Sequence, residues 1–159
     1  MTEMARMKFN QQRYEEALPF FDQAAAADPS FLRARVGKAH TLKMLGRAAE
    51  ALAIIDAVIA ENPAYPLAHS TRGSALQALG KIDEAREAYE RALELDPANA
   101  LVHYNFACFS ALRGDAAETR RHLELALKYD PRQNTNAAVD PDFDRFRHEA
   151  WFEELIAFK

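Results

Sequence analysis

Five histidines and one cysteine are the side chains of this 159-residue sequence best suited to metal binding or nucleophilic chemistry. His69 and His103 stand 34 residues apart at equivalent points of a repeating pattern, which invites a metal reading. A zinc site needs further donors of fixed geometry, and the corresponding positions of the other units hold Arg35 and Met1, which supply no imidazole, thiolate or carboxylate. The two histidines therefore read as packing residues, and no metal is expected. Cys108 with His103 or His122 is the available nucleophile and base, but an active thiol also needs an activating geometry and an oxyanion site. No Gly-rich loop, H-E-x-x-H, G-x-S-x-G or phosphate-binding motif accompanies it. Cys108 reads as structural or groove-lining. The acidic pairs Glu15-Glu16, Asp83-Glu84 and Glu153-Glu154 fall near expected helix starts or on exposed faces, where carboxylates complement the positive end of the helix dipole. No catalytic residue and no cofactor are expected, so function is sought in a binding surface.

The composition states what kind of scaffold carries that surface. The chain holds 32 alanines against 14 Val, Ile and Thr together, too few β-branched residues for a sizeable sheet. Hydrophobic residues make up 49% and charged ones 28%, enough apolar surface to fold. A net charge of -4 argues against a phosphate backbone as the partner. One cysteine forms no internal disulfide, no run approaches about 18 apolar residues, and Met1 to Asn10 lacks the apolar stretch of a signal peptide. A cytoplasmic protein that neither spans membranes nor binds nucleic acid is expected.

The breaker residues are periodic. Pro29, Pro63, Pro97 and Pro131 follow one another at 34-residue intervals, and Gly46, Gly80 and Gly114 keep the same interval, each 17 residues before a Pro of that series. Each unit splits at its Gly into two stretches with helical apolar spacing, a helix A and a helix B. Pro66 suits a first helical residue, the helix should run to Leu79, and Asp83 suits the N-cap of the next. The units are about 1–31, 32–65, 66–99 and 100–133. Small residues recur where two helices must approach closely: Ala5, Ala39, Gly73 and Ala107 before the turn, and Ala17, Ala51, Ala85 and Thr119 after it. Phe21, Ile55, Tyr89 and Leu123 supply the larger wedge between hairpins.

These residues, clearest in Gly73, Leu76, Gly80, Ala85, Tyr89, Ala92 and Pro97, resemble the tetratricopeptide repeat family. The resemblance implies an all-α fold, a right-handed α-solenoid of helical hairpins whose A helices line a concave groove. It also marks departures: Gln12 replaces the turn Gly of the first unit, Thr119 replaces an Ala, and Lys38 and Arg72 stand where the family often has Leu. The period fails after Pro131. Residues 136–159, with Phe143, Phe146, Trp151, Phe152, Leu155 and Phe158, resemble a terminal cap, against the rival reading of an aromatic helix that docks another protein. At the other end no polar cap precedes the first helix, so a second copy or a preceding domain is expected to pack there.

In such a solenoid, function lies on the A-helix stripe that turns away from helix B. That stripe offers Arg6, then Arg33, Val36, His40 and Lys43, then Leu67, Thr71 and Ser74, then Tyr104, Asn105 and Cys108. Its first half is basic on an acidic protein, which suits a partner peptide with acidic side chains or a carboxylate. Family members that clamp chaperone C-terminal tails use Lys and Asn, then Asn, then Lys and Arg at set places. This chain has Thr2, Arg6, Gly37, Leu67 and Thr71 in one register, and Val36, His40, Thr71, Leu101 and Asn105 in the other, so neither builds that clamp. The expected function is a non-catalytic scaffold or adaptor that binds a partner protein or peptide in the groove. The alternative is a self-assembling scaffold that forms homo-oligomers through its terminal helices.

Overall fold

The computed structural model describes residues 2–157, and among them helix is the only regular secondary structure. Met1 and Phe158 lie outside the described residues. The elements are α1 (Thr2–Asn10), α2 (Tyr14–Ala27), α3 (Leu32–Met44), α4 (Ala48–Glu61), α5 (Pro66–Ala78), α6 (Ile82–Leu95), α7 (Ala100–Leu112) and α8 (Ala116–Tyr129), then α9 (Gln133–Val139), a 3-10 segment (Pro141–Phe146) and α10 (Ala150–Ile156).

Successive A and B helices are joined by one turn, used four times. Gly46, Gly80 and Gly114 take φ of +77°, +76° and +78°, the left-handed conformation that ends a helix with little penalty only for glycine. The next residue's N–H then reaches back to a helix carbonyl, as from Arg47 to Leu42 and from Lys81 to Leu76, each at 2.9 Å. Gln12 makes the same turn at φ 59°, with Arg13 N–H bonded to the Lys8 carbonyl at 3.0 Å. Pro66 opens α5 and Leu79 closes it as C-cap. α6 starts at Ile82, which places Asp83 inside the first turn instead of at the N-cap. Its carboxylate still meets the positive end of the helix.

The chain forms two compact units, one up to Leu95 and one from Asp96. In the first, α1/α2, α3/α4 and α5/α6 are antiparallel hairpins, and α2 packs on α3 as α4 packs on α5. Ala5, Ala17, Ala39, Ala51, Ala68, Ala75 and Ala85 are wholly buried, which is what lets the helix axes approach. At Gly37 the approach is closest: a Cβ there would lie 2.3 Å from the Phe21 ring, so the ring of one hairpin occupies the side-chain space of the next. The buried Ile55 and Val58 continue the core, each worth about 1.5–3 kcal/mol by its burial.

The second unit sets α7 against α8 and folds the tail back onto them. Phe143, Phe146 and Phe152 are buried with Tyr104, Ala107, Ala111, Leu123 and Ala126, and Trp151, Leu155 and Ile156 pack against that cluster. Arg147 fastens the tail on itself: its guanidinium donates to the carbonyls of Ala138 and Asp140 and to the Asp144 carboxylate. Thr119, at the place of a repeat alanine, is fully buried and satisfies its hydroxyl on the Asp115 carbonyl at 2.5 Å.

Candidate functional site

The two repeated histidines do the same structural task. The His69 Nε2–H donates to the Pro63 carbonyl at 2.7 Å and the His103 Nε2–H to the Pro97 carbonyl at 2.8 Å, each closing the loop that leads into its own A helix. His103 Nδ1 lies 3.0 Å from His122 Nδ1 in a buried pair, and one proton between the two nitrogens satisfies both rings.

In the first unit α1 adjoins α3, and α3 adjoins α5, so three A helices stand side by side. Arg6 and Arg33 are exposed on them, while His40, Lys43, Leu67 and Ser74 are half-buried. Val36 and Thr71 are buried. Val36 packs with Ala39, Leu42 and Ile55 in the hydrophobic core, so its place on the stripe gives it no open surface. His40 needs a second correction. Its ring lies 4.7 Å from that of Phe9, and burial pushes the imidazole down to about 3, with the Lys43 ammonium acting in the same direction. At neutral pH the ring is uncharged, so the basic half of the stripe rests on Arg6, Arg33 and Lys43.

The other cations of these helices are matched by carboxylates of the B helices. Lys8 pairs with Glu16 at 3.0 Å, Arg35 with Glu61 at 2.6 Å, Lys38 with Asp22 at 2.5 Å and Arg72 with Asp56 at 2.8 Å. The last two form a ladder with the repeat's own period, which explains the departures at Lys38 and Arg72: each trades an apolar contact for an ion pair to the preceding hairpin. The hydrogen bond from Arg35 holds the Glu61 carboxyl below the usual range. Arg6 and Arg33 take part in no ion pair among the described residues.

In the second unit the stripe is occupied. The Tyr104 hydroxyl donates to Asp140 Oδ2 at 2.7 Å, Cys108 Sγ approaches the same oxygen at 3.8 Å, and the Tyr104 ring meets Phe143 edge-on with centroids 5.7 Å apart. Burial first, and then the neighbouring Cys108 and Asp140, push the phenol far above its ordinary range, so it is a permanent donor. Asn105 is half-buried beside them. Cys108, Asp140 and Asp142 place a thiol and two carboxylates within 4.8 Å of one another. Asp140 is already engaged by the Tyr104 hydroxyl and by the Asp142 N–H at 3.0 Å. The return of the tail onto Tyr104 was not readable from the repeat, because the contact joins a periodic segment to an aperiodic one.

Among protein families, a tetratricopeptide repeat model matches residues 9–75 and a second TPR repeat model matches residues 73–107. No curated protein sequence matches the chain. Among solved structures, a thermophilic TPR protein of Thermus thermophilus is 21% identical with a TM-score of 0.77, covering 97% of this chain and 78% of its own. The first TPR domain of human RPAP3 is 28% identical with a TM-score of 0.60, covering 82% of this chain and 92% of its own. The first TPR of Spaghetti (RPAP3), bound to the HSP90 peptide SRMEEVD, is 31% identical with a TM-score of 0.60, over 71% of this chain and 90% of its own. The all-α solenoid fold of these proteins is the fold of this chain.

Proposed function

The chain belongs to the tetratricopeptide repeat family, and from that premise we propose that it is a non-catalytic interaction scaffold whose α1, α3 and α5 face binds a partner protein segment rich in acidic side chains or ending in a carboxylate. We read it as four repeats and a closing tail. The observation that carries the proposal is the division of cations in the first unit: those beside B helices are neutralised by Glu16, Asp22, Asp56 and Glu61, whereas Arg6 and Arg33 are exposed and outside any ion pair among the described residues. On a chain of net charge -4, such a face steers anionic groups toward itself. Leu67 and Ser74 offer apolar and hydrogen-bonding contacts beside it, with His40 a neutral ring.

The relative bound to SRMEEVD supports an acidic peptide as the class of partner. It does not carry over the chaperone tail itself, because Gly37, Leu67 and Thr71 stand at clamp positions here. Tyr104 and Cys108 hold the chain's own tail, so partner contacts are assigned to the first unit. No helix among the described residues is long and apolar enough to cross a membrane. A cytoplasmic location is part of the proposal.

The test is capture from a native lysate by the wild type beside an Arg33→Glu/Lys43→Glu variant with unchanged circular dichroism. A protein retained only by the wild type supports the groove, and identical captures overturn it.

A further inference from the structure

The first unit brings two unused hydrogen-bond donors to one point of its A-helix face. Arg33 is the second residue of α3, and Tyr65 is the N-cap of α5, the A helix beside it. With α4 folded back between them, α3 and α5 run in the same direction and start at the same end of the unit. The Arg33 guanidinium and the Tyr65 hydroxyl make no hydrogen bond or ion pair among the described residues. The Tyr65 ring is half-buried against the core cluster of Val36 and Leu42, which holds its hydroxyl in place. Burial raises the phenol above its ordinary value, and the charge of Arg33 acts against that rise, so cation and hydroxyl share one field.

Nothing nearby in the chain offsets that cation. The first turns of α2, α4 and α6 contain acidic residues, whereas those of α3 and α5 contain none. Arg35, two residues on, is already matched by Glu61 at 2.6 Å. One repeat later the same two places hold Leu67 and Asn99, and the Asn99 side chain caps α7 by accepting the Val102 N–H at 3.1 Å. The pairing of guanidinium and phenol is therefore not a demand of the repeat.

We propose that Arg33 and Tyr65 together bind one carboxylate side chain of an extended partner segment, and that Leu67 receives an apolar side chain three residues away from it. The inference rests on the reading of the α1, α3 and α5 face as the binding surface, and it names the residue pattern that face selects. A guanidinium has five N–H donors and no acceptor, and a phenol adds one O–H, so the complement is an anion with several lone pairs. Spacing follows from the helices. Leu67 is the second residue of α5 as Arg33 is of α3, and neighbouring helix axes lie about 8–10 Å apart. An extended chain covers that distance in about three residues, at about 3.3 Å each. Because α3 is the middle of three A helices, a segment laid across them continues on both sides of Arg33, toward α1 and toward Leu67 on α5. The carboxylate is accordingly a side chain and not a chain terminus.

The probe is a short Gly/Ser peptide, blocked at both ends, with one Glu and one Leu three residues apart, made in both orders. Comparison peptides replace the Glu by Gln or set the Leu next to the Glu. The readout is an NMR titration of the full chain that follows the Leu67 methyl and Arg33 Nε–H signals. Saturable shifts at both are expected, and the adjacent spacing should lose the shift at Leu67 while keeping that at Arg33. Tyr65→Phe, which retains the packed ring, should weaken the Glu peptide about tenfold, as for a bond to a charged acceptor, and leave the Gln peptide unchanged. Arg33→Gln should make the Glu and Gln peptides equal. Equal affinity of Tyr65→Phe and wild type, indifference to the Leu spacing, or silence at Leu67 and Arg33 under millimolar peptide overturns the proposal. In the first two cases the broader reading of the face stands where Arg33→Gln still weakens the Glu peptide, and falls too where Arg33→Gln changes nothing. Binding that requires a free C-terminus on the peptide overturns the assignment to a side chain.

Discussion

The Tyr104 hydroxyl and the Asp140 carboxylate, 36 residues apart in sequence, meet at 2.7 Å and fasten the tail to α7. The second Asp140 oxygen accepts the Asp142 N–H and starts the 3-10 segment, so one carboxylate anchors and shapes the turn. Tyr104→Phe keeps the ring against Phe143 and deletes the hydrogen bond. It should destabilise the chain by about 1.5 kcal/mol, the lower end for a bond to a charged acceptor, since Asp140 is half-buried. Urea unfolding reads the loss, and faster amide exchange across 141–146 localises it. Because the folded phenol is held above the ordinary tyrosine value of 10.0, its contribution is complete below pH 10 and falls away as the pH rises beyond it. The Phe variant should lack that alkaline slope, and equal slopes in both proteins would remove Tyr104 from the account.

His40 titrates with the opposite consequence. Folding lowers its value from 6.5 to about 3, which favours the neutral ring, so its contribution is present above pH 6.5 and is lost as the pH falls toward 3. His40→Phe retains an aromatic partner for Phe9 and removes the proton site. The midpoint of urea unfolding should fall less between pH 7 and pH 4.5 in the variant than in the wild type. A parallel fall would mean that the ring is charged and solvated in the folded chain.

What the residues reveal in advance follows the range of the interactions. The turns at Gly46, Gly80 and Gly114 and the start of α5 at Pro66 are decided by neighbours within a few positions, and they stand where spacing puts them. The buried alanines follow from the period, since a close helix contact repeats with the hairpin. The site is less transparent. Spacing assigns Val36 and His40 to the stripe but does not state that one is buried and the other uncharged, because both depend on what packs over them. The pairing of Lys38 with Asp22 was recoverable from two series of charges sharing one period. The engagement of Tyr104 and Cys108 by Asp140 was not, since the tail has no counterpart in the other units.

The Lys38–Asp22 pair should behave as a link between hairpins and not as surface decoration. Both side chains are partly open, at 32% and 47% exposure, so a coupling of about 0.5 kcal/mol is expected, within the range of exposed pairs. Lys38→Glu alone should destabilise by more than that coupling, because it sets two carboxylates against each other. The exchange Lys38→Asp/Asp22→Lys should recover most of the loss. A double-mutant cycle with no coupling would show that the 2.5 Å contact contributes nothing in water.

Gln12 gives the sharpest test of the turn. Three of the four A-to-B turns place Gly in the left-handed region, and the first places Gln12 there at φ 59°. A side chain with a Cβ in that conformation costs about 1–2 kcal/mol relative to glycine, while glycine loses more freedom on folding. The two effects oppose each other and the steric one is larger, so Gln12→Gly should stabilise by about 0.5–1 kcal/mol. For a chain of this length that raises Tm by about 1–4 °C. Gly80→Gln should shift stability the other way, because it puts a Cβ into the left-handed region at φ 76°. If Gln12→Gly left Tm unchanged, the α1/α2 turn would be open in solution, and hydrogen exchange at Arg13, whose N–H bonds the Lys8 carbonyl at 3.0 Å, would already be fast in the wild type.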